Sequence, residues 1–192
     1  MAEPTTRFRL IPQTTAAADI DTAVERLAEV SGQSVCSTGA GNEANFGTID
    51  ISAGAANSSI LTMFWDITAD GGNTLAENFR WWLSSNGFDL AGSVCKFQPL
   101  SGADQAAPSA TENYVANSVI GSYTWATMPE TEPITQNLYP SDEGSSMVLN
   151  VASDDVLAWA MYLAIAESET TGSYAGTTAD FELQFSLKYA YS

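Results

Sequence analysis

The chain predicts an all-β fold, an antiparallel β-sandwich or jelly roll carrying one short N-terminal helix. Three observations lead there. Apolar and polar residues alternate with period two along several segments, as half-buried strands require. Clusters of Gly, Ser, Asn, Asp and Pro punctuate those segments at short intervals. Five Trp, seven Tyr and eight Phe supply the material of a substantial core, which an acidic disordered chain would lack.

Taken in chain order, Arg7 to Ile11 is the first strand candidate. Ala17 to Val30 departs from the β pattern: Ile20, Val24, Leu27 and Val30 fall at helical spacing. Asp19 and Asp21 stand early in that segment and Gly32 follows it, the punctuation of a short helix. Phe46 to Ser52 is the next strand candidate. Ile60 to Thr68 then places Leu61, Met63, Trp65 and Ile67 on one side. Asn78 to Ser84 places Phe79, Trp81 and Leu83 together, with Arg80 and Trp82 opposite. Val94 to Leu100, Val119 to Met128 and Met147 to Val151 are shorter candidates, and Ser101–Ser109 and Pro129–Glu143 are expected as long loops.

The clearest patterns come last. Val156 to Ala166 sets Leu157, Trp159, Met161, Leu163 and Ile165 against Ala158, Ala160, Tyr162, Ala164 and Ala166. The alanines favour helix, which keeps a helix as the alternative, but the strict alternation and the following turn-rich residues favour a strand. Phe181 to Ser192 alternates in the same way, with Phe181, Leu183, Phe185, Leu187, Tyr189 and Tyr191 on one face. The segments 156–166 and 179–191 are expected to form a hairpin with a long connection. A single domain over 1–192 is the expected organisation, with 1–45 as an alternative N-terminal extension.

Composition excludes more than it identifies. Twenty-three acidic residues face six basic ones, no histidine is present, and the formal charge is −17. Such a surface repels phosphate, so neither nucleic acid nor an anionic membrane is an expected partner. Without His the usual general base and imidazole metal ligand are missing. The start MAEPTTRFRL lacks a basic region leading into an apolar one, and no apolar run reaches the length of a membrane span. Cys36 and Cys95 form no CxxC pair and are expected as buried free thiols, with a disulfide as the alternative.

Candidate sites are few. Asp19-x-Asp21, Asp142-Glu143 and Asp154-Asp155 could offer oxygen ligands to Ca²⁺. Asp154 and Asp155 are the weak metal candidates, yet none of the three fits an EF-hand loop, and a solvated acidic face explains them as well. No GxSxG elbow, Walker A loop or GxGxxG unit appears, so neither a catalytic set nor a cofactor is expected. Trp81 and Trp82 are adjacent and must point to opposite faces of a strand. One belongs in the core; the other, beside Arg80, suits a protein contact or a sugar platform. Trp65, Trp125 and Trp159 lie on apolar faces and are expected in the core.

The ending TGSYAGTTADFELQFSLKYAYS resembles the last hairpin of tailed-virus structural proteins and of some pilus or biofilm-fibre subunits. In those, a TG-x-Y-x-G turn precedes an alternating aromatic strand. Phe46-Gly47-Thr48 with Gly54 is similar to the opening of some immunoglobulin-like modules. The resemblance implies a virion structural protein made in the host cytoplasm: a capsid decoration, turret, neck or tail component. It would act by self-association and by docking onto other virion proteins. Arg80, Trp82 and Tyr174 are the contact candidates. A carbohydrate-binding or adhesion module and a hydrolase built on two carboxylates are the alternatives. The excess of carboxylates also fits a saline habitat, a halophilic or marine source such as an archaeal virus. The charged share of 15% is low for an extreme halophile.

Overall fold

The computed structural model describes residues 1–11, 34–36, 44, 46–58, 60–99, 125–139, 146–149, 156–172 and 183–192. Within them the chain is all-β. In chain order the strands are β1 (Thr5–Ile11), β2 (Ser34–Cys36), β3 (Ala56–Asn57), β4 (Leu61–Ala69) and β5 (Leu75–Ser85). They continue with β6 (Val94–Pro99), β7 (Ala126–Thr127), β8 (Ser146–Val148), β9 (Val156–Ile165) and β10 (Gln184–Tyr191). The larger sheet runs β2-β1-β4-β9-β6-β7, with β3 also pairing β9, and the smaller runs β10-β5-β8. Every pairing is antiparallel.

β9 is the centre of the larger sheet, between β4 and β6. Its large side chains Leu157, Trp159, Met161, Leu163 and Ile165 are all buried, as the alternation demands. Its opposite face is buried as well at Ala160 and Tyr162, and Trp125 packs edge-on against Tyr162 with ring centroids 4.8 Å apart. Small alanines let a strand be covered on both sides, which explains why this segment reads as almost continuously apolar.

The two sheets meet through aromatic rings. Trp81 of β5 lies 4.8 Å from Trp159 of β9, and Phe79 of β5 lies 5.6 Å from Trp65 of β4. Phe8 of β1 touches both Trp81 and Trp159. Among the described residues the buried indole nitrogens of Trp81 and Trp159 have no hydrogen-bond partner. Leaving an N–H unpaired costs about 1–3 kcal/mol. Burying a ring of this size is worth on the order of 4–6 kcal/mol by area, so packing wins.

β5 carries a bulge that realigns its buried face. Asn78 has φ = 59°, a left-handed conformation that Asn tolerates better than other non-glycine residues. The pairing with β10 skips there, from Arg80↔Lys188 to Glu77↔Ala190. Ala76 and Phe79 are therefore both buried although they stand three positions apart, a spacing that in a regular strand puts side chains on opposite faces.

The turn between β4 and β5 gathers both ends of the chain. Asp70 Oδ1 accepts from the Gly72 amide at 2.8 Å, and Asn73 Nδ2 donates to the carbonyls of Asp70 and Ala2. The Ala2 amide donates to Gly71 O at 3.0 Å. Gly71 has φ = 65°, and a Cβ there would collide with the Ala2 carbonyl, so glycine is required twice over. On the same turn, Ser192 O accepts from the amides of Thr74 and Leu75.

Several expectations are corrected. β9 and β10 do not form a hairpin; they lie in different sheets, because β10 finds its partner in β5. Phe46 to Ser52 is not a strand: Gly47 takes φ = 78°, and Asp50 and Ile51 accept from Ser52 and Gly54 in tight turns. Its apolar residues Phe46, Ile49 and Ile51 still pack on the core. Trp125, expected in the core, is half-buried and stands just before the two-residue β7; residues 119–124 of the expected strand lie outside the described residues. The helix expected over 17–30 lies outside the described residues, as does 101–109. Cys95 is a free, buried thiol that burial pushes well above the ordinary range.

Candidate interaction surface

The face of the smaller sheet turned away from the larger one carries Arg80 and Trp82 of β5 with Ser186 and Lys188 of β10. Strand alternation places them there, because Phe79, Trp81 and Leu83 take the buried side. Trp82 is half-buried and stands opposite Ser186, while Arg80 stands directly opposite Lys188. Two like charges in cross-strand register destabilise a sheet. Glu132, from the loop after β7, resolves this by pairing with both.

Lys188 Nζ donates to Glu132 Oε1 at 2.9 Å and to Oε2 at 3.1 Å, and Arg80 Nη1 forms an ion pair with Oε1. The Lys188 hydrogen bond, aided by the charges of Arg80 and Lys188, holds the Glu132 carboxyl below the usual carboxylate range. Arg80 Nε is buried and has no hydrogen-bond partner among the described residues. The result is Trp82 on one sheet face with two cations that share one carboxylate.

The loop that supplies Glu132 is itself tied to the edge of β5. The Leu83 amide donates to Pro129 O at 2.8 Å. Asn137 then imitates a strand: its Oδ1 accepts from Trp81 N and its Nδ2 donates to Trp81 O, both at 2.8 Å. The Asn137 amide donates to Phe79 O at 3.1 Å. Leu138 is buried beneath, whereas Ile134 at the loop tip is 97% exposed. This loop covers an edge that would otherwise offer bare backbone groups.

Compared with protein-family models, curated proteins and solved structures, the chain matches none.

Of the contact candidates read from sequence, the structure brings Arg80 and Trp82 together on one face; Tyr174 lies outside the described residues. The carboxylates Asp154 and Asp155 also lie outside them, as do Asp19, Asp21, Asp142 and Glu143. Among the described residues no three His, Cys, Asp or Glu side chains gather as metal ligands would, and no helix is long and apolar enough to cross a membrane. Sequence reasoning missed Glu132, Ile134 and Asn137. Their only local signal was a lone Ile in a polar, Pro-bearing loop; nothing in the sequence pairs Glu132 with two cations that are far away along the chain.

Proposed function

We propose that this chain is an assembly subunit, a β-sandwich that works by docking onto other proteins, and that its setting is a virus particle. The observation that carries the docking part is the half-exposed Trp82 beside the Arg80–Glu132–Lys188 cluster. A large amphipathic ring on a rigid strand, with an Arg at its side, is the composition of an interface hot spot. Prior fixation of the cations by Glu132 reduces the ordering cost of binding. The virion setting rests on the resemblance of the C-terminal segment to tailed-virus structural proteins.

Cosedimentation with particles from the source tests the reading. The wild-type chain is expected to travel with the particles and Trp82→Ala to be released while keeping its near-ultraviolet circular dichroism. A chain that never cosediments contradicts the virion setting. Glycan binding abolished by Trp82→Ala, without particle binding, would assign the same face to carbohydrate.

A further inference from the structure

The described edges of the two sheets are not alike. β2, β7 and β8 are two or three residues long, too short to template another strand. The long free edge of β5 is occupied by the 129–138 loop. β10, eight residues long, is the exception.

Its backbone polarity follows from β5. Trp81 and Leu83 direct their N–H groups, and Phe79 its carbonyl, toward the 129–138 loop. In an antiparallel ladder alternate residues serve opposite edges, so Arg80 and Trp82 bond β10 at Lys188 and Ser186. Phe185, Leu187 and Tyr189 therefore point their N–H and C=O groups outward, away from β5. Among the described residues no strand pairs with that side. The side chains of these three residues line the inner rim: Phe185 stacks on Trp81 at 5.6 Å and Tyr189 on Phe79 at 5.9 Å, and all three remain partly open to solvent.

We propose that β10 pairs with β10 of a second copy of this chain, antiparallel about a two-fold axis at Leu187. Three features select a second copy. The pattern Phe185-Ser186-Leu187-Lys188-Tyr189 is symmetric about its centre in its alternation, with an aromatic ring at each end and a polar residue on either side of Leu187. With Leu187 opposite its own copy, Phe185 faces Tyr189 and Ser186 faces Lys188, so no two lysines oppose each other. This register also keeps residues 184–190 fully paired; centring on 185 or 189 runs sooner into the end of the strand. Finally, in a chain of charge −17, residues 183–192 contain no acidic residue and one lysine, so the strand itself adds no negative charge to the contact, although Glu3 acts on Tyr189 from nearby. Lys188 is no obstacle: its ammonium is held by Glu132 on the outer face. The product is one continuous six-stranded sheet with an isologous interface.

The pairing deepens the assembly reading and rests on it, and one experiment separates their fates. Sedimentation of the whole chain over a concentration series is expected to show the mass double. Dimer should increase with salt as the Debye length falls from about 10 Å at 0.1 M to about 3 Å at 1 M. In this register Ser186 and Lys188 form a non-hydrogen-bonded pair, with Cα atoms about 4.5 Å apart, within disulfide reach. Mixing Ser186→Cys with Lys188→Cys chains under mild oxidation should give a covalent dimer whose peptide map joins 186 to 188, in clear excess over either chain alone. A dimer without that cross-link overturns the edge pairing and leaves the assembly reading standing. A chain that is monomeric at every concentration and salt, with no cross-link, overturns the pairing outright, and particle cosedimentation then decides the assembly reading alone.

Discussion

β9 and β10 read almost alike as sequence and end in opposite situations. Both alternate with period two, and both carry aromatic rings on the inward face. β9 is flanked by β4 and β6, covered on both faces, and its Trp159 is wholly buried. Among the described residues β10 is paired with β5 on one side only, and its inward residues stay half-exposed. The difference lies in the residues between the large ones. β9 alternates them with alanines and Tyr162, and Trp125 packs on that far face against Tyr162; β10 alternates them with Gln, Ser and Lys, which need water or Glu132. The large residues determine that a segment is a strand, and the intervening ones determine whether it can lie at the centre.

The contrast breaks most readily at the core. Trp159→Ala should cost about 3–5 kcal/mol, whereas Leu187→Ala, at the half-open rim, should cost about 1 kcal/mol. Urea denaturation of both variants measures this; equal losses would abolish the distinction between centre and edge.

A second comparison sets the covered edge of β5 against the open edge of β10. Asn137→Ala strips two partners from the Trp81 backbone and should cost about 2 kcal/mol. Ile134→Ser, three residues away on the exposed tip, should leave the denaturation midpoint nearly unchanged. An Asn137→Ala variant as stable as wild type would mean that the loop does not hold the edge.

The smallest effect concerns alkaline pH and the tyrosine on each strand. Burial raises Tyr162 of β9 above its usual value; burial, with the charge of Glu3 and Tyr191 added, raises Tyr189 of β10. A raised folded value favours the neutral phenol. Its stabilisation is fully present below the unfolded value near 10 and is lost as pH rises through the folded value. Tyr162→Phe and Tyr189→Phe should each flatten the alkaline fall in thermal midpoint. Salt should reduce only the Tyr189 share, because only that share contains a screened charge.

Much of this was legible in the sequence. β1, β4, β5, β6, β9 and β10 follow from alternation, and the opposed fates of Trp81 and Trp82 follow from their adjacency alone. Pairing was not legible: β9 and β10 are neighbours in sequence, and short connections are the commoner case. The real partner of β10 is about a hundred residues upstream, a choice made by ring packing between Phe185 and Trp81 that no local pattern encodes. The strand expected over 46–52 failed because Gly47 and the Asp50 turn override its alternation. The contact face was half legible, since Arg80 and Trp82 share a strand face while Glu132 reaches them only through the tertiary fold.

The central claim is that β10 is bonded to β5 on one side and, among the described residues, has no strand on the other, the side proposed to pair with a second copy. Residue-resolved amide hydrogen exchange across β10 tests it most directly. In dilute, low-salt solution the Ser186 and Lys188 amides should exchange slowly, and those of Phe185, Leu187 and Tyr189 rapidly. On concentration in high salt the three fast amides should become protected while the other two change little. Slow exchange at all five positions, independent of concentration, would show that the edge is already covered within one chain and would contradict the account.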